Sequence, residues 1–150
     1  MSVQHDTFTV ERVYPKPPAA VFAAWSSAEA KPKWFVAPHE NVTSGPLELD
    51  FRVGGRESIS NDWTREGFSS HYNATYHDIV PNERIVTAYT MHIDDRQLSV
   101  SVATMEFHAE GTGTRLVITE SGVFLDGHAD VQGREQGTNL LLDQLTEVLG

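Results

Sequence analysis

The sequence predicts an α+β fold in which an antiparallel sheet of seven strands wraps around one long C-terminal helix. Two observations carry this prediction. From residue 47 to residue 121 the apolar residues recur with period two, interrupted only by turn signals, and from Asp130 onward the period becomes helical. A sheet followed by one amphipathic helix buries both apolar faces most economically when the first curls around the second. A chain of 150 residues suits a single domain, 1–150, with enough length for a sizeable core.

The elements follow in order. Residues 7–14, TFTVERVY, place Phe8, Val10 and Val13 on one side and read as a first strand, ended by Pro15, Pro17 and Pro18. Pro17 and Pro18 preset a helix start, and AAVFAAW then spaces Val21, Phe22 and Trp25 along one helical face. Ser26 or Ser27 is expected to cap a second short helix through Lys33.

Leu47, Leu49, Phe51 and Val53 alternate ahead of a hairpin turn at Gly54-Gly55. Strands are then predicted over 56–61, 68–80, 84–93, 98–108 and 113–121, separated by Pro81-Asn82, Asp94-Asp95 and Glu110-Gly111. In the closing helix, a projection at about 100° per residue puts Leu141, Leu145, Val148 and Leu149 on one face.

That helix contains GREQGTNLLLDQL, with Gly133 and Gly137 one turn apart beside Leu141. Each glycine costs about 1 kcal/mol relative to alanine in a helix interior, so something must favour it. The expectation is a wall in contact at Gly137 and an open groove at Gly133.

Composition excludes several functions. Twenty-one acidic against 11 basic residues give a formal net charge of -10, which repels phosphate backbones, so no nucleic-acid partner is expected. The absence of cysteine removes disulfides and thiolate zinc sites and suits a reducing cytoplasm. MSVQHDTFTVERVY has no basic region followed by an apolar stretch, so neither a signal peptide nor membrane insertion is expected.

The histidines His5, His39, His71, His77, His92, His108 and His128 show no helical pair or carboxylate cluster of metal-site spacing. There is no nucleophile elbow, phosphate loop or dinucleotide fingerprint. No catalytic residue, metal or cofactor is therefore assigned.

The stretches FTVERVYPKPPAAVFAAW, KWF, LELDFRVGG, IVPNERIV, MEFHAEGTGTRLVITESGVF and REQGTNLLLDQL occur in that order. Together they resemble bacterial homologues of the activator of heat-shock-protein-90 ATPase, within the START-like, birch-allergen-like SRPBCC superfamily. The resemblance spans Thr7 to Leu149. It implies a helix-grip fold with a cavity between sheet and C-terminal helix, and no single chemistry, because relatives include lipid carriers, hormone receptors, cyclases and chaperone regulators. The eukaryotic activator carries a further N-terminal chaperone-binding domain, for which this chain has no room, so activation of the chaperone is not expected.

The strand phase places Tyr72 and Tyr76, Tyr89 and Met91, Met105 and Phe107, and Leu116 and Ile118 on one concave face. Such residues either fill a core or line a cavity. Glu120 shares their phase, and Arg134 and Thr138 project from the helix near Leu141 toward the same interior. A charge there must be paired or hydrated. Arg134 thus either forms a structural ion pair with Glu120 or offers its planar fork to a ligand carboxylate, phenolate or carbonyl. Trp34, Phe35 and Trp63 are expected at the cavity mouth, either as exposed aromatics that gate entry or packed on the helices.

Three functions are weighed. The first is a cytoplasmic binding protein for a small, largely apolar or amphiphilic molecule, which an acidic or aromatic ligand would satisfy. The second is a cyclase- or hydrolase-type enzyme using the same pocket. The third is a stress-linked chaperone partner. A homodimer through strand edges or the Trp63 region is left open.

Overall fold

The computed structural model describes residues 2–36 and 40–150; His39 lies outside them. Strand β1 (Val3–Tyr14) is followed by helix α1 (Pro18–Ser26) and a single 3-10 turn at Lys31–Lys33. Strands β2 (Val42–Ser44), β3 (Glu48–Leu49), β4 (Arg56–Trp63), β5 (Phe68–Val80), β6 (Arg84–Ile93), β7 (Arg96–Glu110) and β8 (Gly113–Leu125) precede helix α2 (Val131–Leu149). The strands form one antiparallel sheet in the order β1-β8-β7-β6-β5-β4-β2, with β3 also paired to β4.

The helix-grip architecture is therefore present, with eight strands among the described residues in place of the seven read from the sequence. The additional one is β2, three residues paired with the end of β4, too short to show a period. The second short helix contracts to the 3-10 turn. The Ser27 hydroxyl does accept from the amides of Glu29 and Ala30, but Pro32 has no N–H with which to continue a helical ladder.

Positive φ at Asn82, Asp94 and Gly111 marks the three turns expected between β5 and β8. The turn after Phe51 requires its glycines for two reasons: Gly54 has φ 83°, and a Cβ on Gly55 would collide with the Asp50 carbonyl oxygen. Strand β8 runs past Ser121-Gly122, where the sequence reading stopped. Gly122 is an in-strand glycine, since a Cβ there would lie 2.8 Å from Ser101 Oγ on the neighbouring strand.

Alternation buries Phe8, Val10 and Tyr14 but leaves Val13 62% exposed, because an odd-numbered residue of β1 lies on the opposite face of the sheet from these three. Helix α1 starts with proline at its first position and buries Val21, Phe22, Ala24 and Trp25. Helix α2 is fixed to β1 by an ion pair of 2.8 Å between Arg12 and Asp143 and by the Tyr14 hydroxyl, which donates to the Leu142 carbonyl at 3.2 Å. Gln144 Nε2 donates to the carbonyls of Trp34 and Val36, fastening the helix to the segment after the 3-10 turn.

The buried residues of α2 are Leu142 and Leu145, and Val148 is exposed. The expected apolar face is thus displaced toward Leu142. The sheet packs on that edge, while Leu141 turns to the cavity described below.

The two glycines of α2 reverse the expectation made for them. A Cβ on Gly137 would meet nothing within 4 Å, whereas one on Gly133 would collide with the Asp130 carboxylate. Asp130 caps the helix by accepting from the Gly133 amide at 3.0 Å, and its carboxylate lies where a third-position side chain would begin. Gly137→Ala is expected to raise stability by up to about 1 kcal/mol through helix propensity. Gly133→Ala should show no gain, because losing the cap costs about 0.5–2 kcal/mol. Thermal melts of the two variants check this, and an equal rise in both would show that the capping carboxylate moves freely.

Candidate functional site

Between the concave face of the sheet, the 3-10 turn and α2 lies a cavity of about 310 Å³. Its floor is made by alternate residues of five strands, β4 to β8, including Ile59, Tyr72, Tyr89, Met91, Ala103, Met105 and Ile118, and its roof by Gly133, Arg134, Gly137, Thr138, Leu141 and Leu142. Trp25, Trp34, Phe35 and Val36 close one end. Aromatic rings run along the wall in unbroken contact: Trp25 to Trp34 at 4.7 Å, Trp34 to Phe35 at 5.6 Å, Phe35 to Tyr72 at 5.6 Å and Tyr72 to Tyr89 at 5.0 Å. Tilted and edge-to-face rings of this kind form a stiff apolar surface.

Two polar stations interrupt that surface. At the first, Arg134 Nη1 donates to the Tyr89 hydroxyl at 3.2 Å, and Nη2 donates to Ser99 Oγ at 2.5 Å. The Tyr89 hydroxyl donates in turn to Glu120 Oε1, which stands 3.9 Å from Arg134 Nη1. The guanidinium also lies 5.1 Å from the Phe124 ring centre. Burial raises the Glu120 carboxyl pKa, while the Tyr89 hydrogen bond and the Arg134 charge oppose the rise. Burial and the adjacent Glu120 carboxylate push the Tyr89 phenol far upward, so it acts as a neutral donor.

At the second station, Lys31 Nζ lies 2.5 Å from Glu57 Oε1, with both side chains almost wholly buried. Glu57 Oε2 accepts from the Tyr72 hydroxyl at 3.1 Å. The ammonium is faced by the Phe35 ring at 4.5 Å and the Trp25 ring at 5.2 Å. Burial, followed by the Glu57 charge, raises the Tyr72 phenol well above its ordinary value. The rings of Tyr72 and Tyr89, one from each station, pack against each other.

Of the residues named from the sequence, Trp34, Phe35, Trp63, Tyr72, Tyr89, Met91, Met105, Ile118, Glu120, Arg134, Thr138 and Leu141 all face this cavity. Tyr76 and Phe107 do not. They lie at the end of the concave face that α1 and Phe51 cover, with Phe107 packed 5.3 Å from Phe22 and Tyr76 packed 5.0 Å from Phe51. Trp34 is no exposed gate: it is fully buried, and its indole N–H donates to the Ala24 carbonyl at 3.0 Å. Trp63 is half-buried, stacks on Phe68 and donates to Ser70 Oγ.

The second station was missed by sequence reasoning. Glu57 carries a legible signal, since it shares the inward phase of β4 with Ile59. Lys31 carries none, because only the docking of the 3-10 turn brings it inside. Among the described residues no three histidine, aspartate or glutamate side chains gather as metal ligands, and no helix is long and apolar enough to cross a membrane.

A curled antiparallel sheet gripping a C-terminal helix over a lined cavity defines a START-like, helix-grip domain. Residues 15–150 match the family model described as Activator of Hsp90 ATPase homolog 1-like protein, and the chain belongs to that family. An uncharacterized protein from Rhizobium leguminosarum is similar in structure, with a TM-score of 0.91, 45% identity, and coverage of 99% of this chain and 96% of that one. The Mll3558 protein from Rhizobium loti gives a TM-score of 0.90 at 39% identity over 99% of both chains. Protein CV1439 from Chromobacterium violaceum gives 0.78 at 27% identity, covering 95% of this chain and 96% of that one. No curated protein matches the chain.

Proposed function

We propose that this is a cytoplasmic binding protein that holds a small, largely apolar molecule between its sheet and its C-terminal helix. The observation that carries the reading is the cavity itself, walled by contiguous aromatic rings and roofed by a helix that has glycine where a side chain would fill the space. A concave apolar site with a few convergent polar groups is the usual form of a small-molecule site. The helix propensity forgone at Gly137 is explained if the space above it is occupied by a ligand.

Native mass spectrometry of protein purified from its own host tests the proposal, alongside the cavity-filling variant Gly137→Phe. A bound small molecule is expected in the parent and not in the variant. Retention of the same molecule by Gly137→Phe would place it elsewhere and sink the reading.

An enzyme of cyclase or hydrolase type is favoured by one feature, the buried Glu120 carboxyl with its raised pKa beside Arg134. That carboxyl already accepts from Tyr89, so it has a structural partner as well.

The raised pKa has a definite consequence for stability. A carboxyl that binds its proton more tightly when folded contributes stability that is complete below the unfolded pKa and is lost as pH rises through the folded one. Melting temperatures measured from about pH 4 to pH 7 should therefore fall less steeply, or rise more, in Glu120→Gln than in the parent. Parallel profiles would show that the carboxyl titrates normally.

A further inference from the structure

We propose that the cavity selects an uncharged ligand, an apolar body bearing neutral hydrogen-bonding groups, and discriminates against carboxylates, sulfonates and ammonium ions. This deepens the binding reading and rests on it. Among the described residues the cavity lining contains four charged side chains, Lys31, Glu57, Glu120 and Arg134, and their charges sum to zero. Each cation already faces an anion: Lys31 lies 2.5 Å from Glu57, and Arg134 lies 3.9 Å from Glu120 with Tyr89 bridging them.

The fork of Arg134, the natural receptor for an acid, is engaged by Tyr89 and Ser99 as well as by Glu120. A ligand carboxylate must break into those contacts or bring a fifth charge into an interior whose described residues leave no counter-charge for it. Either course costs desolvation that the site cannot return. A ligand ammonium meets the same obstacle at Glu57, whose two oxygens already serve Lys31 and Tyr72. The net charge of -10 on the chain adds a further bias against anions. A neutral carbonyl or hydroxyl disturbs none of this, because Arg134 retains guanidinium N–H groups beyond those used on Tyr89 and Ser99.

Two fluorescent probes that share an anilinonaphthalene skeleton test the inference: neutral N-phenylnaphthylamine and anionic anilinonaphthalenesulfonate. Titrations use the unmutated protein, with Gly137→Phe as the filled-cavity control and Thr138→Phe in its place should that variant not fold. Fluorescence that survives filling reports a surface site and counts as no binding in the cavity.

The neutral probe is expected to bind at least tenfold more tightly than the sulfonate. Glu120→Gln, which strips Arg134 of its counter-charge, is expected to narrow that ratio by raising sulfonate affinity. Equal or tighter sulfonate binding by the unmutated protein overturns the charge selection and leaves the cavity reading standing. An unchanged ratio in a folded Glu120→Gln overturns the assigned role of the balanced pair. Failure of both probes to bind in the cavity sinks the binding reading, and this inference with it.

Discussion

Lys31→Met is expected to destabilise the protein by about 3–5 kcal/mol, the cost of leaving a buried carboxylate without its partner. Glu57 and Lys31 are 1% and 3% exposed, so water cannot take over the role of either group. Methionine matches the length of the lysine stem and fits against the Trp25 and Phe35 rings, which isolates the electrostatic loss from a packing loss. Lys31→Met combined with Glu57→Leu should recover much of the stability, because a buried pair replaced as a whole by apolar groups is often close to neutral. Urea denaturation of both single variants and the double variant closes the cycle. A Lys31→Met midpoint equal to that of the parent would mean that the pair is hydrated in solution.

Leu145→Ala and Phe107→Ala should each cost about 2–5 kcal/mol, from lost burial and the void left behind. Leu145 is fully buried where α2 meets the core, and Phe107 is wedged between Phe22 and Trp25. Neither touches the ligand space, so probe affinity per folded molecule should stay near that of the parent. Calorimetric melts together with the titrations described above separate the two effects. A large loss of affinity in stably folded Phe107→Ala would place that ring against the ligand after all.

The strands and turns were legible because alternation and turn chemistry are local properties. The ends of β5 and β6 fall where the pattern placed them, and Asn82, Asp94 and Gly111 occupy turns for conformational reasons that belong to the residues themselves. Most of the cavity floor was legible for the same reason, since side chains two apart share a face of the sheet. Glu120 and Arg134 stood out as charges in an apolar phase, and a buried charge requires an explanation whatever the fold.

What the sequence determined by itself is the order of the longer elements, most of the inward residues of the long strands and the presence of an interior that mixes aromatic and charged groups. Only the tertiary structure decided which inward residues face a cavity and which face a packed core. Phe107 and Tyr76 have the same phase as Met105 and Tyr72, and differ only in lying under α1 and Phe51. It alone brought Lys31 onto Glu57 across 26 residues of chain, and it alone put the Asp130 carboxylate over Gly133 while leaving space over Gly137. Periodicity specifies the side of an element on which a residue lies, but the occupant of the space on that side is set by segments distant in the chain.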